Sequence, residues 1–268
     1  NECDERKSTN FVNDYLIEAN KVGDQSVFVS EWLKKLFIDQ GIKSENNAVI
    51  YGGANSEIFN SNNFYSWAGV GKIKLVTHHW GANWNKGFET YSYLDELLDR
   101  KEWSDKFEFT YIGNLPKDFN FKNTKVVDPL SGKDLANEIK KNHLYITGSL
   151  NEPSGNHHIE AAQCGLPILY LNSGGTPEYC NDYGIEFNIS NLEEKLDEMI
   201  NNYKTYSEKM IYYSFNSERM CDEYFKLFTD LINDKEQVLE KRKLKNKSNT
   251  ILKNIYLITR KISEIFSN

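Results

Sequence analysis

Between residues 26 and 183 short apolar runs alternate with amphipathic stretches, and this alternation constrains the fold more than any single motif. Runs with strand character occupy 26–29, 48–51, 73–77, 107–112, 124–127, 144–147 and 167–171. Helical periodicity occupies 11–21, 31–40, 87–98, 132–142, 156–164 and 177–183, with Ser30 as an N-cap before Trp32, Leu33, Leu36 and Phe37. Strands separated by helices pair in parallel through right-handed crossovers, so the expected fold is α/β, a doubly wound parallel sheet. Ligands of such sheets bind beyond the carboxyl ends of the strands. From residue 191 strand signals stop, and helices are expected at 192–203, 206–231 and 235–266. Three regions follow: 1–45, with room for an α-β-α segment only; 46–205, the doubly wound domain; and 206–268, flanking C-terminal helices.

Composition narrows the function. With 268 residues, 39% hydrophobic and 26% charged, the chain buries a sizeable core. A net charge of −7 disfavours nucleic acid as a partner, because displacing counterions from phosphates takes a basic face. The longest apolar stretches, such as 166–171, fall far short of the roughly twenty residues that span a bilayer. The opening Asn1–Lys7 is polar and is not expected to be a secretory signal. Cys3, Cys164, Cys180 and Cys221 form no C-x-x-C pair, which fits a reducing compartment. Lys241, Arg242, Lys243, Lys245 and Lys247 precede Ile251, Ile255, Ile258, Ile262 and Ile265 at helical steps. This pattern suits a helix packed on the protein with a solvated basic flank, and it also suits peripheral contact with an anionic membrane surface.

The chemistry concentrates in Leu144–Pro167. A strand ends, Glu152 sits in a loop before Pro153-Ser154-Gly155, a helix opens at Asn156, and Glu160 lies about one turn inside it. The turn leaves backbone N–H groups at a helix N-terminus, where the macrodipole favours an anion such as a diphosphate. A carboxylate at Glu160 can accept both hydroxyls of a ribose, and Glu152 can reach a sugar held over the phosphates. The plain alternative is a capped surface helix with two solvated acids. His78, His79, His157 and His158 lack the Cys or acidic spacing of a metal site, and no metal is expected.

At these residues the chain resembles the retaining, GT-B-fold glycosyltransferases of family four, whose C-terminal domain carries a Glu-x7-Glu motif in this setting. The resemblance extends over Phe28-Val29-Ser30-Glu31-Trp32-Leu33, over Ala48 to Phe59, over Lys74 to Trp80 and on to Lys86-Gly87-Phe88, and over Ser173-Gly174-Gly175-Thr176-Pro177-Glu178. It implies that 1–45 is a remnant of an acceptor-binding domain and that 46–205 is a Rossmann-like domain for a nucleotide-sugar donor linked to UDP or GDP. Glu160 is then expected at the ribose, Glu152 at the donor sugar and Lys86 at the phosphates. The backbone of Ser154, Gly155 and Asn156 would cradle phosphate or hexose, Gly53 would pass close to the diphosphate, and the base would lie near Leu130. Glu152 and Lys86 are the catalytic candidates.

The resemblance further implies transfer to a glycan or lipid-linked acceptor in polysaccharide assembly, without a metal cofactor. It places the protein in the cytoplasm at the inner face of the membrane. Two departures stand out. Gly81 occupies the place where most relatives have an Arg five residues before the Lys, and either His78 or His79 is a candidate replacement donor. The family's Asn-Gly-x-Asp turn reads Gly52-Gly53-Ala54-Asn55. An alternative function is a non-catalytic nucleotide- or carbohydrate-binding module acting in a complex. A sugar-nucleotide epimerase would want a G-x-G-x-x-G string, which is absent.

Overall fold

Among the described residues every strand pairs in parallel, as the alternation requires. The computed structural model describes residues 2–43, 45–241 and 255. It divides into two units, Asn1–Ile50 with Glu223–Asn268, and Tyr51–Asp222.

In the first unit α1 (Asp4–Lys7) and α2 (Val12–Asn20) precede β1 (Ser26–Phe28), α3 (Glu31–Asp39) and β2 (Asn47–Val49). Strands β1 and β2 pair from Ser26↔Asn47 to Phe28↔Val49, with α3 as the crossover. The helix starts where Ser30 Oγ accepts the Leu33 N–H at 3.2 Å, and its Leu33 and Phe37 pack with Cys3, Phe28, Val29 and Ile42. Asp4 accepts the N–H groups of Phe11, Val12 and Asn13 at 2.9, 2.9 and 3.1 Å, so it caps α2 from outside the helix. Burial acts to raise its pKa, but the Thr9 hydroxyl and these amides outweigh it and hold the carboxyl below its ordinary value. The run at 48–51, expected to open the doubly wound domain, instead completes this small β-α-β unit. A three-residue strand finds a ready partner one helix back, and the larger unit starts at Tyr51.

The second unit runs through β3 (Ile73–His79), a 3-10 turn (Trp84–Lys86), α4 (Phe88–Leu97), α5 (Lys101–Ser104), β4 (Phe107–Gly113) and β5 (Lys125–Val127). It continues with α6 (Gly132–Ile139), β6 (Leu144–Thr147), α7 (Asn156–Gln163), β7 (Ile168–Leu171), α8 (Thr176–Cys180), β8 (Gly184–Phe187) and α9 (Leu192–Lys209). The strand order is β5-β4-β3-β6-β7-β8, which reverses direction between β3 and β6. This is the doubly wound order, and the reversal is its topological switch point.

Side chains alternate across the sheet and build two cores. Ile73, Leu75, Leu144 and Ile146 join Phe88, Tyr91 and Leu94 of α4 and Leu196 of α9. Val76, Tyr145, Ile168 and Tyr170 join Ile139 of α6 and Ile159 of α7 on the other face. Three details differ from the sequence reading. Strand β3 continues two residues further, through His78 and His79, and β8 adds an edge strand whose four residues carry too short a signal to read alone. Helix α9 crosses the expected boundary at 205 and packs on β7 and β8, so this unit extends to Asp222. The chain continues as α10 (Ser217–Asn233) and α11 (Lys235–Lys241). Apart from Lys241, the last residue of α11, and an exposed Ile255, the basic cluster through Lys247 and the isoleucine stripe fall outside the described residues.

Candidate functional site

Two loops leave the carboxyl ends of the strands that flank the switch point: 80–87 after β3 and 148–155 after β6. Backbone and short polar groups lash them together. The Leu150 N–H donates to the Asn85 carbonyl at 2.8 Å, and Ser149 Oγ donates to the Lys86 carbonyl at 3.3 Å. From the opposite side, the Gly175 N–H donates to the Glu152 carbonyl at 2.8 Å and the Asn151 N–H to Ser173 Oγ at 2.8 Å. The Gly-Gly-Thr-Pro-Glu turn therefore positions Glu152. Held from both sides, Glu152 lies with its carboxylate 3.6 Å from Lys86 Nζ.

Helix α7 begins two residues after Ser154. Its N-cap, Gly155, has φ +82° and supplies no side-chain cap. A Cβ there would lie 2.5 Å from His158 Cε1 and 2.9 Å from Glu152 Cγ, so only glycine allows this entry. The N-terminus stays open around an exposed Asn156, with positive helix potential aimed out of the loop. Ser154 is tied to the Tyr179 hydroxyl, which also accepts the Gly52 N–H at 3.0 Å.

Glu160, half-buried on α7, meets β3. Its Oε2 lies 2.9 Å from His78 Nε2. The hydroxyl of Tyr145 is 3.2 Å from His78 Nδ1 and accepts the His78 N–H at 3.1 Å. Four of the chain's five histidines gather here. His157 lies between His79 and His158, at ring separations of 4.5 and 4.9 Å, and its Nε2 is 2.9 Å from Thr147 Oγ1. Burial first, and then neighbouring histidines and Lys86, hold the His157 pKa well below its ordinary value. Burial and then His78 push that of His158 down to about 3. The His158 ring is fully buried and neither nitrogen has a hydrogen-bond partner among the described residues. Both rings are neutral at pH 7 and carry no charge toward a bound anion.

The structure thus brings Lys86, Glu152, Ser154, Gly155, Asn156 and Glu160 to one end of the sheet at the switch point. His79, Gly53 and Leu130 have surroundings of a different kind. His79, one candidate replacement for the missing arginine, is 3% exposed; it turns toward α4, with Nε2 2.7 Å from the Tyr91 hydroxyl. Adjacent strand residues face opposite ways, so it is His78 that reaches Glu160. Gly53 makes a close approach to its own chain: a Cβ there would lie 2.0 Å from the Asn216 carbonyl oxygen, where Ala54 bridges to Asn216. Leu130 follows β5 at the same end of the sheet and packs, half-buried, against the core beneath α6 and α7. Sequence reasoning missed Tyr145 and the individual role of His78; period-two alternation carried past Thr77 is the signal that separates His78 from His79. Among the described residues no three His, Cys, Asp or Glu side chains are grouped to hold a metal ion, and no helix is long and apolar enough to cross a membrane.

Known proteins resemble this chain over part of its sequence and in its fold. Residues 113–217 match the family model of glycosyl transferases group 1. No curated protein matches the chain by sequence. Similar solved structures include a glycosyltransferase from Rickettsia africae, at 15% identity and a TM-score of 0.64 over 84% of this chain and 68% of that one. Another is the sucrose-phosphate synthase of Thermosynechococcus elongatus, at 16% identity and 0.62 over 85% of this chain and 64% of that one. A third is Anabaena HepE, solved with UDP and glucose, at 14% identity and 0.64 over 84% of this chain and 69% of that one. The chain spans only 45% of a further neighbour, TarM. At these identities the likeness is one of fold, and the fold is that of the GT-B glycosyltransferases.

Proposed function

We propose that this chain carries the donor-binding part of a retaining glycosyltransferase of the family-four type, which moves a sugar from a UDP- or GDP-sugar to a glycan or lipid-linked acceptor. The observation that carries the reading is that Lys86, Glu152, Glu160 and the open N-terminus of α7 share the switch-point end of one sheet. In glycosyl transfer the anomeric carbon gains oxocarbenium character while negative charge builds on the departing diphosphate. Lys86 and the first amides of α7 offer that charge a preorganised positive potential. The Lys86–Glu152 pair would part on donor binding, the ammonium going to phosphate and the carboxylate to sugar hydroxyls. In the front-face route implied by retention, the leaving phosphate oxygen helps take the acceptor proton, and Glu152 orients the donor. The cytoplasmic setting and membrane contact through the basic cluster belong to the same proposal and rest on the sequence alone.

Calorimetric titration tests the assignment. Glu160→Ala is expected to weaken UDP or GDP binding by about tenfold or more, as loss of a charged hydrogen bond does. Lys86→Ala is expected to weaken the diphosphate while leaving the nucleoside nearly unaffected. Parent-like binding by both variants overturns the reading. The second reading, a binding module without catalysis, draws on Gly81, which leaves the crevice one cation poorer than its relatives. Slow hydrolysis of the donor by the parent, abolished in Lys86→Ala, rejects that module.

A further inference from the structure

We propose that His78 is a positioning residue that sets the Glu160 carboxylate for ribose recognition, through a relay that runs from Tyr145 to His78 to Glu160. The inference rests on the nucleotide-binding reading of Glu160 and extends it to two residues behind the crevice.

The contacts around the Tyr145 hydroxyl favour one placement of the protons. The His78 backbone N–H donates to the Tyr145 oxygen at 3.1 Å, so the tyrosine's own proton must find another acceptor. Two are within reach: His78 Nδ1 at 3.2 Å and the His78 carbonyl at 3.4 Å. The nearer is Nδ1. With Nδ1 accepting, Nε2 carries the imidazole proton and donates it to Glu160 Oε2 at 2.9 Å. Burial raises the Tyr145 pKa well above its ordinary value, which keeps the hydroxyl protonated and able to donate.

The burial gradient gives the direction of action. The His78 side chain is 8% exposed and that of Glu160 21%, so the histidine stands behind and the carboxylate in front. His78 engages one carboxylate oxygen and leaves Oε1 for a diol. A longer β3 makes this possible, since the strand's seventh and last residue is His79 and its neighbour His78 sits directly beneath α7. Without the relay, Glu160 keeps its charge and loses its fixed rotamer, and the penalty falls on hydroxyl recognition in particular.

The test compares ribose with its deoxy analogue in the 268-residue chain. UDP and GDP, and the 2′,3′-dideoxy form of whichever binds, are titrated into the parent and into His78→Phe, His78→Gln, Tyr145→Phe and Glu160→Ala. A site built to hydrogen-bond hydroxyls rejects their absence, so the parent is expected to prefer the ribose form by about tenfold or more. His78→Phe is expected to lower that preference at least about fivefold while changing affinity for the dideoxy form less than about twofold. His78→Gln, which restores an N–H donor, recovers most of the preference, and Tyr145→Phe falls between. A parent-like preference in His78→Phe or in Tyr145→Phe, with Glu160→Ala losing it, overturns the relay and spares the ribose reading. Equal weakening of both forms in His78→Phe marks a merely structural role and also overturns it. A preference kept in Glu160→Ala, or no binding of either diphosphate by the parent, removes the ribose reading and the relay together. If His78→Phe does not fold, Tyr145→Phe and His78→Gln carry the same comparison.

Discussion

Helices α3 and α7 each follow a strand that feeds a parallel crossover, yet they begin in opposite ways. Helix α3 starts at a fully buried serine whose hydroxyl caps the Leu33 amide. Helix α7 starts at a glycine in the left-handed region, without a side-chain cap, over a buried histidine that has no hydrogen-bond partner among the described residues. The first start is closed by its own sequence and needs nothing more. The second leaves orphan amides and buried polar rings beside Lys86 and Glu152, an arrangement that costs stability and offers an anion site. A fold tolerates that cost where a ligand settles it.

The largest expected contrast between the two starts is in acid. His157 and His158 are neutral when folded and would take a proton near pH 6.5 when unfolded, so the unfolded chain binds more protons below that value. Stability contributed by their neutrality is complete above pH 6.5 and falls as pH drops toward about 3, where His158 itself titrates. His158 subtracts about 1.4 kcal/mol per pH unit, or about 2 kcal/mol between pH 6.5 and 5, and His157 acts in the same direction. The first unit contains no histidine, and its Asp4 withdraws stability only as pH falls below the ordinary carboxylate value of 3.8. Hydrogen exchange at pH 7 and pH 5 should therefore show protection lost around α7 and kept around α3. Equal loss in both would break the contrast.

Next in size is Gly155→Ala. Its Cβ would sit against His158 at a φ that disfavours alanine, at a cost of about 3 kcal/mol in urea unfolding, with nucleotide binding lost as well. Thr147→Val, which leaves His157 Nε2 without its 2.9 Å partner, is expected to cost about 1–2 kcal/mol by the same measurement. The smallest effect belongs to Ser30→Ala, about 1 kcal/mol for a lost cap, with UDP or GDP affinity unchanged in calorimetry. Should Ser30→Ala impair nucleotide binding as much as Gly155→Ala does, the division of labour between the two starts is wrong.

Much of this was legible in the chain. Helices α3, α4 and α7 and strands β1, β4 and β6 lie within about two residues of where periodicity puts them, because each has a strong apolar face and a turn signal at its ends. Strand β8 escaped because Gly184-Ile185-Glu186-Phe187 is a short edge segment with one exposed acid. The run at 48–51 reads as a strand, but Asn47–Val49 pairs with β1 instead of opening the larger sheet, since a strand's own residues do not say which partner it takes. At the site, Glu152 and Glu160 are readable from spacing and turn chemistry, whereas Lys86 comes only from the family resemblance. His78 and His79 were not separable without following the pleat past the point where the apolar signal ends.

Local composition by itself determined that parallel strands and helices would alternate, that a glycine-turned helix would open after β6, and that two glutamates would flank it. These are short-range matters of period, capping and backbone freedom. Only the tertiary structure decided which histidine meets Glu160, that Gly53 yields to Asn216, and where the units divide. Those outcomes depend on strand register and on the packing of residues far apart in sequence, such as Tyr145 against His78, and no local window contains both partners.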